Sequence, residues 1–360
     1  MTFFLMRFKK GNMQKSMIEG NTLKLILNFS IPLLLGNLFQ QFYNVVDAAI
    51  VGQTLGSYAL AAVGASSSVQ FLILGFCMGI CQGFSIMVSQ SFGAKRLDEM
   101  HTYIYAGAAI ATIFAQAVSG ILCFLLIAFK VNVLHIPKSS RYVDKQHSLK
   151  LLAMGVPMGL QFSITAIGSM VMQSANNALG TIYVSGFTAG MRIKSLMMCP
   201  FDALGAAVST FLSQNYGACK LERIHDGYHK GVMVSILYGA FACVVMVFFG
   251  RILSMMFVSA NESQVLDASA LYLRRIGYFY PVLGILITTR MSVQGLGYSA
   301  RAMLAGFVEM IARCIVALCF VPIFKYNAIT WADQAAWVAA TLVLIPLWLS
   351  AMRAVQKKMS

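Results

Sequence analysis

Residues 23–51 read LKLILNFSIPLLLGNLFQQFYNVVDAAIV, an apolar run interrupted near its end by Asp47. A helix that crosses a bilayer needs about 20 mostly apolar residues. This run is long enough, and it sets the pattern for the whole chain. Working outward, nine such segments lie near 23–51, 58–92, 102–130, 149–179, 183–216, 228–258, 268–298, 301–325 and 331–352. None alternates apolar and polar residues as the strands of an outer-membrane barrel do. Unbroken runs favour helices, because a backbone in lipid must satisfy its own hydrogen bonds. The expected fold class is all-α, a polytopic membrane protein. Pro32, Pro157, Pro200 and Pro281 fall within or at the edges of these segments, where a bundle tolerates a kink.

Composition agrees. Of the 360 residues 59% are hydrophobic and 11% charged, against about 25% charged in a soluble domain. A water-facing surface is not covered with so few charges. The formal net charge of +15 reads as basic loops on the cytoplasmic side rather than as a nucleic-acid surface. The eight cysteines are scattered and imply no disulfide framework. The first 21 residues lack the layout of a signal peptide and read as a cytoplasmic tail, with Met17 a sensible natural start.

Loop charges orient the segments. The tail carries Arg7, Lys9, Lys10 and Lys15, and the connection near Lys95 and Arg96 is basic, as are those near Lys220, Arg223 and Lys230, near Arg301, and the tail with Arg353, Lys357 and Lys358. These belong inside, and the uncharged GQTLGSY and GTIYVSG connections outside. One segment conflicts. Residues 102–130 have basic loops at both ends, and a single crossing cannot begin and end on one side.

The chain also repeats itself. VSQSFGAKRLDEMH (88–101) matches LSQNYGACKLERIH (212–225), and LKLILNFSIPLLLG (23–36) parallels LKLLAMGVPMGLQ (149–161), Pro32 against Pro157. Both units enter from the same side. A parallel two-unit repeat is one way to build a secondary transporter, with substrate between the halves.

These stretches resemble the MATE (multidrug and toxic compound extrusion) transporters. SIPLLLGNLFQQFYNVVDAAIVGQTLG and SQSFGAKR carry the likeness in the first half. GVPMGLQFSITAIGSMVMQSANNALG, STFLSQNYGACK and RMSVQGLGYSARAM carry it in the second. The first stretch resembles the bacterial branch that relies on a first-helix aspartate. The resemblance implies two six-helix lobes around a central cavity, and export of organic cations or amphipathic drugs against inward Na+ or H+. It implies a multi-pass protein of the bacterial inner membrane, both termini cytoplasmic, working as a monomer, with no nucleic acid and no cofactor beyond the coupling ion. It implies a transporter rather than an enzyme.

The chain departs from the family in one respect. Three segments precede the second lobe where the family has six. Residues 107–124 resemble the family's sixth helix, and HTYIYA before them the beginning of its third. About three helices are therefore missing, which accounts for the charge conflict. The expected organisation is a tail (1–21), a truncated N-lobe (22–130), a basic cytoplasmic linker (131–148), a complete six-helix C-lobe (149–352) and a second tail (353–360).

Asp47 is the leading candidate for cation coupling, since a carboxylate inside a membrane segment is costly and defaults to function. A sodium ion or a proton would bind there; no other metal site is expected. Pro32 would let the helix bend as Asp47 changes state. Gln40 and Asn44 share a face leading to Asp47. With Gln161, Gln173, Asn177 and Gln294 they are candidates for the substrate cavity, helix-to-helix hydrogen bonding being the alternative. Asn176 belongs to the same polar group. Arg290 reads as structural or interfacial, and Asp202 stays unassigned. Glu309 and Arg313, four apart, read as a structural ion pair. Two rivals stand beside the antiporter: a transport-inactive remnant, and a lipid-linked flippase of the same broader fold, against which the scarcity of cavity-side Lys and Arg counts.

Overall fold

The computed structural model describes residues 17–114 and 145–359, without the side chains of 43, 44, 47–74, 77, 105 and 107–114. The tail residues 1–16 and the stretch 115–144, which includes most of the expected linker, lie outside the described residues. The chain is helical throughout its long elements: α1 Thr22–Gly93, α2 Leu97–Phe114, α3 Lys145–Asn177, α4 Thr181–Gly217, α5 Leu221–Ser254, α6 Ser263–Gly277, α7 Tyr280–Gly295, α8 Ser299–Ile315 and α9 Tyr326–Met359. Lys145–Ser148 are the first turn of α3, so the expected linker ends earlier than 148.

The largest difference from expectation is α1. Two segments joined by an outside connection at GQTLGSY are expected, yet helical backbone runs unbroken for 72 residues. A straight helix of that length would span about 108 Å. Its two ends nevertheless meet: Ile18, Glu19 and Leu25 line the same cavity as Gly93, Ala94 and Lys95. The chain therefore reverses within an element whose hydrogen bonding stays helical, and two antiparallel arms result. Asn21 caps the first arm by accepting from the Lys24 N–H at 3.2 Å.

The second arm ends as α4 ends, and this is the repeat in three dimensions. After α1, the N–H groups of Ala94, Lys95 and Arg96 donate to the carbonyls of Gln90, Phe92 and Ser91. After α4, those of Ala218, Cys219 and Lys220 donate to Gln214, Tyr216 and Asn215. Lys95 (φ 57°) and Cys219 (φ 54°) are both left-handed. Two equivalent stops of the Schellman type follow from two equivalent sequences.

The two ends also cross each other reciprocally. A methyl group on Gly93 would lie 2.0 Å from the Gln214 carbonyl oxygen, and one on Gly217 would lie 1.9 Å from the Gln90 carbonyl oxygen. No side chain fits at either position, so backbone touches backbone. A contact that maps onto itself on exchange of partners has local two-fold symmetry. Deeper in, Gly79 and Gly83 face the backbone of Met158–Gly159 and Met154–Gly155 in the same manner. These small residues recur every four positions, a spacing that marks close helix packing in membranes.

Residues 145–359 make six segments. Five pass as candidate spans by length and apolarity, and α6 with α7 form a pair bent by 57° at Gly277–Tyr280. Pro281 lies in the first turn of α7, where a missing N–H costs nothing. The segment that begins with α8 continues through a π-helical turn at Val316–Phe320 and Val321–Phe324. Outward faces are apolar: Phe248 is 73% exposed and Leu318 69%. Such side chains are at home only against lipid. Pro32, Pro157 and Pro200 sit inside helices, as expected of a bundle.

Basic connections gather at one end. One cavity is lined by Lys95 and Lys220; a second, adjoining it through the 216–217 turn, is lined by Arg96, Lys150 and Lys358. At the opposite end Tyr183 stacks on Tyr326, ring centroids 4.7 Å apart, and the Tyr326 hydroxyl donates to the Ala268 carbonyl. The charge conflict at 102–130 is reproduced too. Tyr103, near the start of α2, packs edge-on against His147, near the start of α3, at 5.1 Å. The two helices thus begin at the same end of the molecule.

Candidate functional site

Ionisable residues are held inside the second unit in one connected chain. Lys194 on α4 is buried and donates to Asp333 Oδ2 on α9 at 2.7 Å. The same oxygen accepts from the Tyr272 hydroxyl on α6 at 2.9 Å. Asp333 Oδ1 accepts from Arg313 Nε on α8 at 3.1 Å. Arg313 reaches back to Glu309 Oε2 at 3.4 Å, and the other Glu309 oxygen is bound by Arg290 on α7. Four helices are tied by three cations and two carboxylates. Asp202 on α4, close enough to Arg290 for their charges to interact, balances the count.

The chain has a closed end and an open one. Lys194, Asp333, Arg313 and Glu309 have side chains 3–9% exposed, and the Lys194 ammonium also lies 5.5 Å from the Trp337 ring centroid. Arg290 is 13% exposed and Asp202 is exposed. A polar group adjoins this open end. Gln294, one turn beyond Arg290 on α7, donates to Gln161 on α3 at 2.7 Å. Three buried atoms there, Arg290 Nε, Gln294 Oε1 and Thr165 Oγ1, make no hydrogen bond. Native interiors leave few such groups. Asn176, fully buried with neither amide atom bonded, is another.

The residues expected to matter fall as follows. Glu309 and Arg313 do pair, though Arg313 is closer to Asp333 and Glu309 has a second partner in Arg290. Arg290 is not interfacial, because its guanidinium is engaged inside the bundle. Gln161 and Gln294 are brought together and buried. Gln173 donates to Asn177 within α3 at 2.9 Å, with Asn177 exposed. Gln40 is exposed on α1. Asp47 and Asn44 lie on the same helix, but their side chains are outside the described residues. Lys194 and Asp333 were missed. The signal was present, a charge within an apolar run (alone at Asp333, two residues after Arg192 at Lys194); what the sequence does not display is that residues 139 apart are partners. Cations are less scarce inside than expected, yet Lys194, Arg290 and Arg313 are each engaged by a carboxylate.

Fold and site together define a polytopic helical membrane protein that keeps ionisable groups in its interior. The family model MatE matches residues 32–143 and 157–319. The chain belongs to the MATE family of transporters. The probable multidrug resistance protein YpnP of Bacillus subtilis is 24% identical, with 88% of this chain and 90% of that protein covered. A FAD transporter of Shewanella oneidensis is 25% identical over 50% of this chain and 40% of its own length. A crystal structure of MATE in complex with MaL6 superposes with a TM-score of 0.78 at 16% identity, over 95% of this chain and 98% of that one. The YpnP alignment runs over 415 positions but takes in 88% of 360 residues, about 317. Close to 100 of its positions therefore face no residue of this chain, about the length of three spanning helices with loops.

Proposed function

We propose that this chain is a secondary active exporter of cationic or amphipathic compounds, driven by Na+ or H+ entry. The observation that carries the reading is the ionic chain Lys194–Asp333–Arg313–Glu309–Arg290. Charges inside a membrane are costly and are kept where they serve a pathway or a switch. An exchanger needs two conformations that cation and drug favour differently. Charge pairs spanning four helices are suited to report such a change. In this reading Asp47 on α1 takes up the coupling ion in the first lobe, Pro32 lets that helix bend, and the Gln161–Gln294 pair, with Asn176 farther along α3, faces substrate in the second. The lobes divide between residues 114 and 145, and the basic end faces the cytoplasm of a bacterial inner membrane.

A second reading, a transport-inactive relative, is favoured by the absence of about 100 positions present in YpnP. Dye accumulation in an efflux-deficient bacterium separates the two. The antiporter reading predicts less ethidium in cells expressing the chain and restored ethidium with Asp47→Asn. Unchanged ethidium, with the protein present in the membrane, supports the inactive relative.

A further inference from the structure

A cavity of about 490 Å³ opens at the basic end, away from the ionic chain. It lies where the parts of the molecule meet: the end of α1, the starts of α2 and α3, the last turns of α4 and α9, and the turn after α7 all contribute to its wall. Arg96, Lys150 and Lys358 bring three positive charges, and Glu99 one negative. Glu99 is already engaged by Arg96 at 2.8 Å. The Lys358 ammonium donates to the Tyr216 hydroxyl at 3.0 Å, and Tyr298 completes a second aromatic wall. The result is a net positive, hydroxyl-bearing hollow that suits the oxygens of a phosphate group.

Exposed leucines next in sequence to two of the wall cations say which phosphate. Leu97 follows Arg96 and Leu149 precedes Lys150, and these leucines are 51% and 56% exposed. Cations beside exposed aliphatic side chains at the end of a bundle fit a headgroup with acyl chains attached. A free phosphorylated solute would leave the leucines uncovered. Basic pockets between spanning helices on the cytoplasmic side are where anionic headgroups bind.

We propose that this cavity is an anionic phospholipid site, in which a phosphodiester headgroup is held by Lys150 and Lys358 and the acyl chains run over Leu97 and Leu149. Since the wall is drawn from α1, α2, α3, α4, α7 and α9, a bound headgroup links the first arm pair to the second unit. The inference rests on the membrane orientation proposed above for the leaflet involved. It does not depend on transport, so an inactive chain would bind the lipid equally.

The test uses the full chain purified in neutral detergent. Cardiolipin, phosphatidylglycerol, phosphatidylcholine and inorganic pyrophosphate are titrated separately. Native mass spectrometry counts bound molecules, and the thermal midpoint is followed in parallel. Cardiolipin and phosphatidylglycerol are expected to bind and raise the midpoint, and phosphatidylcholine and pyrophosphate to do neither. The double substitution Lys150→Gln, Lys358→Gln should weaken phosphatidylglycerol binding at least 10-fold. Arg353→Gln, at the same end but outside the wall, should change it less than two-fold. Equal binding of phosphatidylcholine overturns the proposal, and so does unchanged binding in the double variant. Pyrophosphate binding without lipid binding assigns the cavity to a soluble phosphorylated compound instead. The wild-type lipid comparison decides the matter even where a variant folds poorly.

Discussion

Asp333 accepts three side-chain hydrogen bonds inside the buried ionic chain. One carboxylate takes Lys194, Tyr272 and Arg313 at 2.7–3.1 Å. Removing one member of a buried pair strands the other, at a cost of about 3–5 kcal/mol. Asp333→Asn strands Lys194 and leaves Arg313 only its longer contact with Glu309, whereas Lys194→Met leaves Asp333 with Arg313 and Tyr272. Thermal denaturation of the detergent-solubilised protein should therefore rank Asp333→Asn well below Lys194→Met, and both below wild type. A smaller loss for Asp333→Asn would mean that the carboxylate is not the hub of the chain. At this scale the sequence was partly legible. Glu309 and Arg313 are four apart and betray their pairing by position alone. Lys194 with Asp333, and Arg290 with Glu309, are joined only by tertiary packing, which no local spacing encodes.

The helix crossing makes its own demand. Gly93 and Gly217 each meet carbonyl backbone at about 2 Å from where a methyl group would sit, whereas Gly36 has open space around it. Gly93→Ala and Gly217→Ala force two helix ends apart, and overpacking of this kind costs about 1–3 kcal/mol. Gly36→Ala should be neutral or slightly stabilising, because alanine is the better helix former. Melting midpoints of the three variants check this directly; equal midpoints would remove the reciprocal contact from the account. The repeat that builds the crossing was readable as SQ-x-x-GA-x-x-L-x-x-x-H in both units. That the two copies pack on each other was not, because the match states likeness and not contact. The course of α1 was legible in outline only. The two expected spans are the two antiparallel arms; what the sequence does not display is that helical backbone continues through the bend between them.

Over the whole molecule, connections expected to share one side of a membrane lie at one end of the bundle. Loops judged basic from composition converge on adjoining cavities at one end. In a background with the other cysteines replaced, Cys219 at that end should react with a membrane-impermeant maleimide in inside-out vesicles and stay protected in intact spheroplasts. The reverse pattern would invert the proposed orientation. The conflict at 102–130 carries further meaning at this scale. Two helices that start side by side, at Tyr103 and His147, leave an odd number of crossings unaccounted for between them, and close to 100 aligned positions of YpnP have no counterpart here. Charge alone exposed that inconsistency, and comparison with relatives of full length supplies its size.

The proposed antiporter couples drug export to an ion through Asp47. The most direct measurement is ethidium movement in proteoliposomes containing only the purified chain, under an imposed Na+ or pH gradient. Gradient-dependent ethidium transport is expected, collapsed by an ionophore and abolished by Asp47→Asn. Transport that persists undiminished in Asp47→Asn, or no transport by a correctly inserted protein under either gradient, would contradict it.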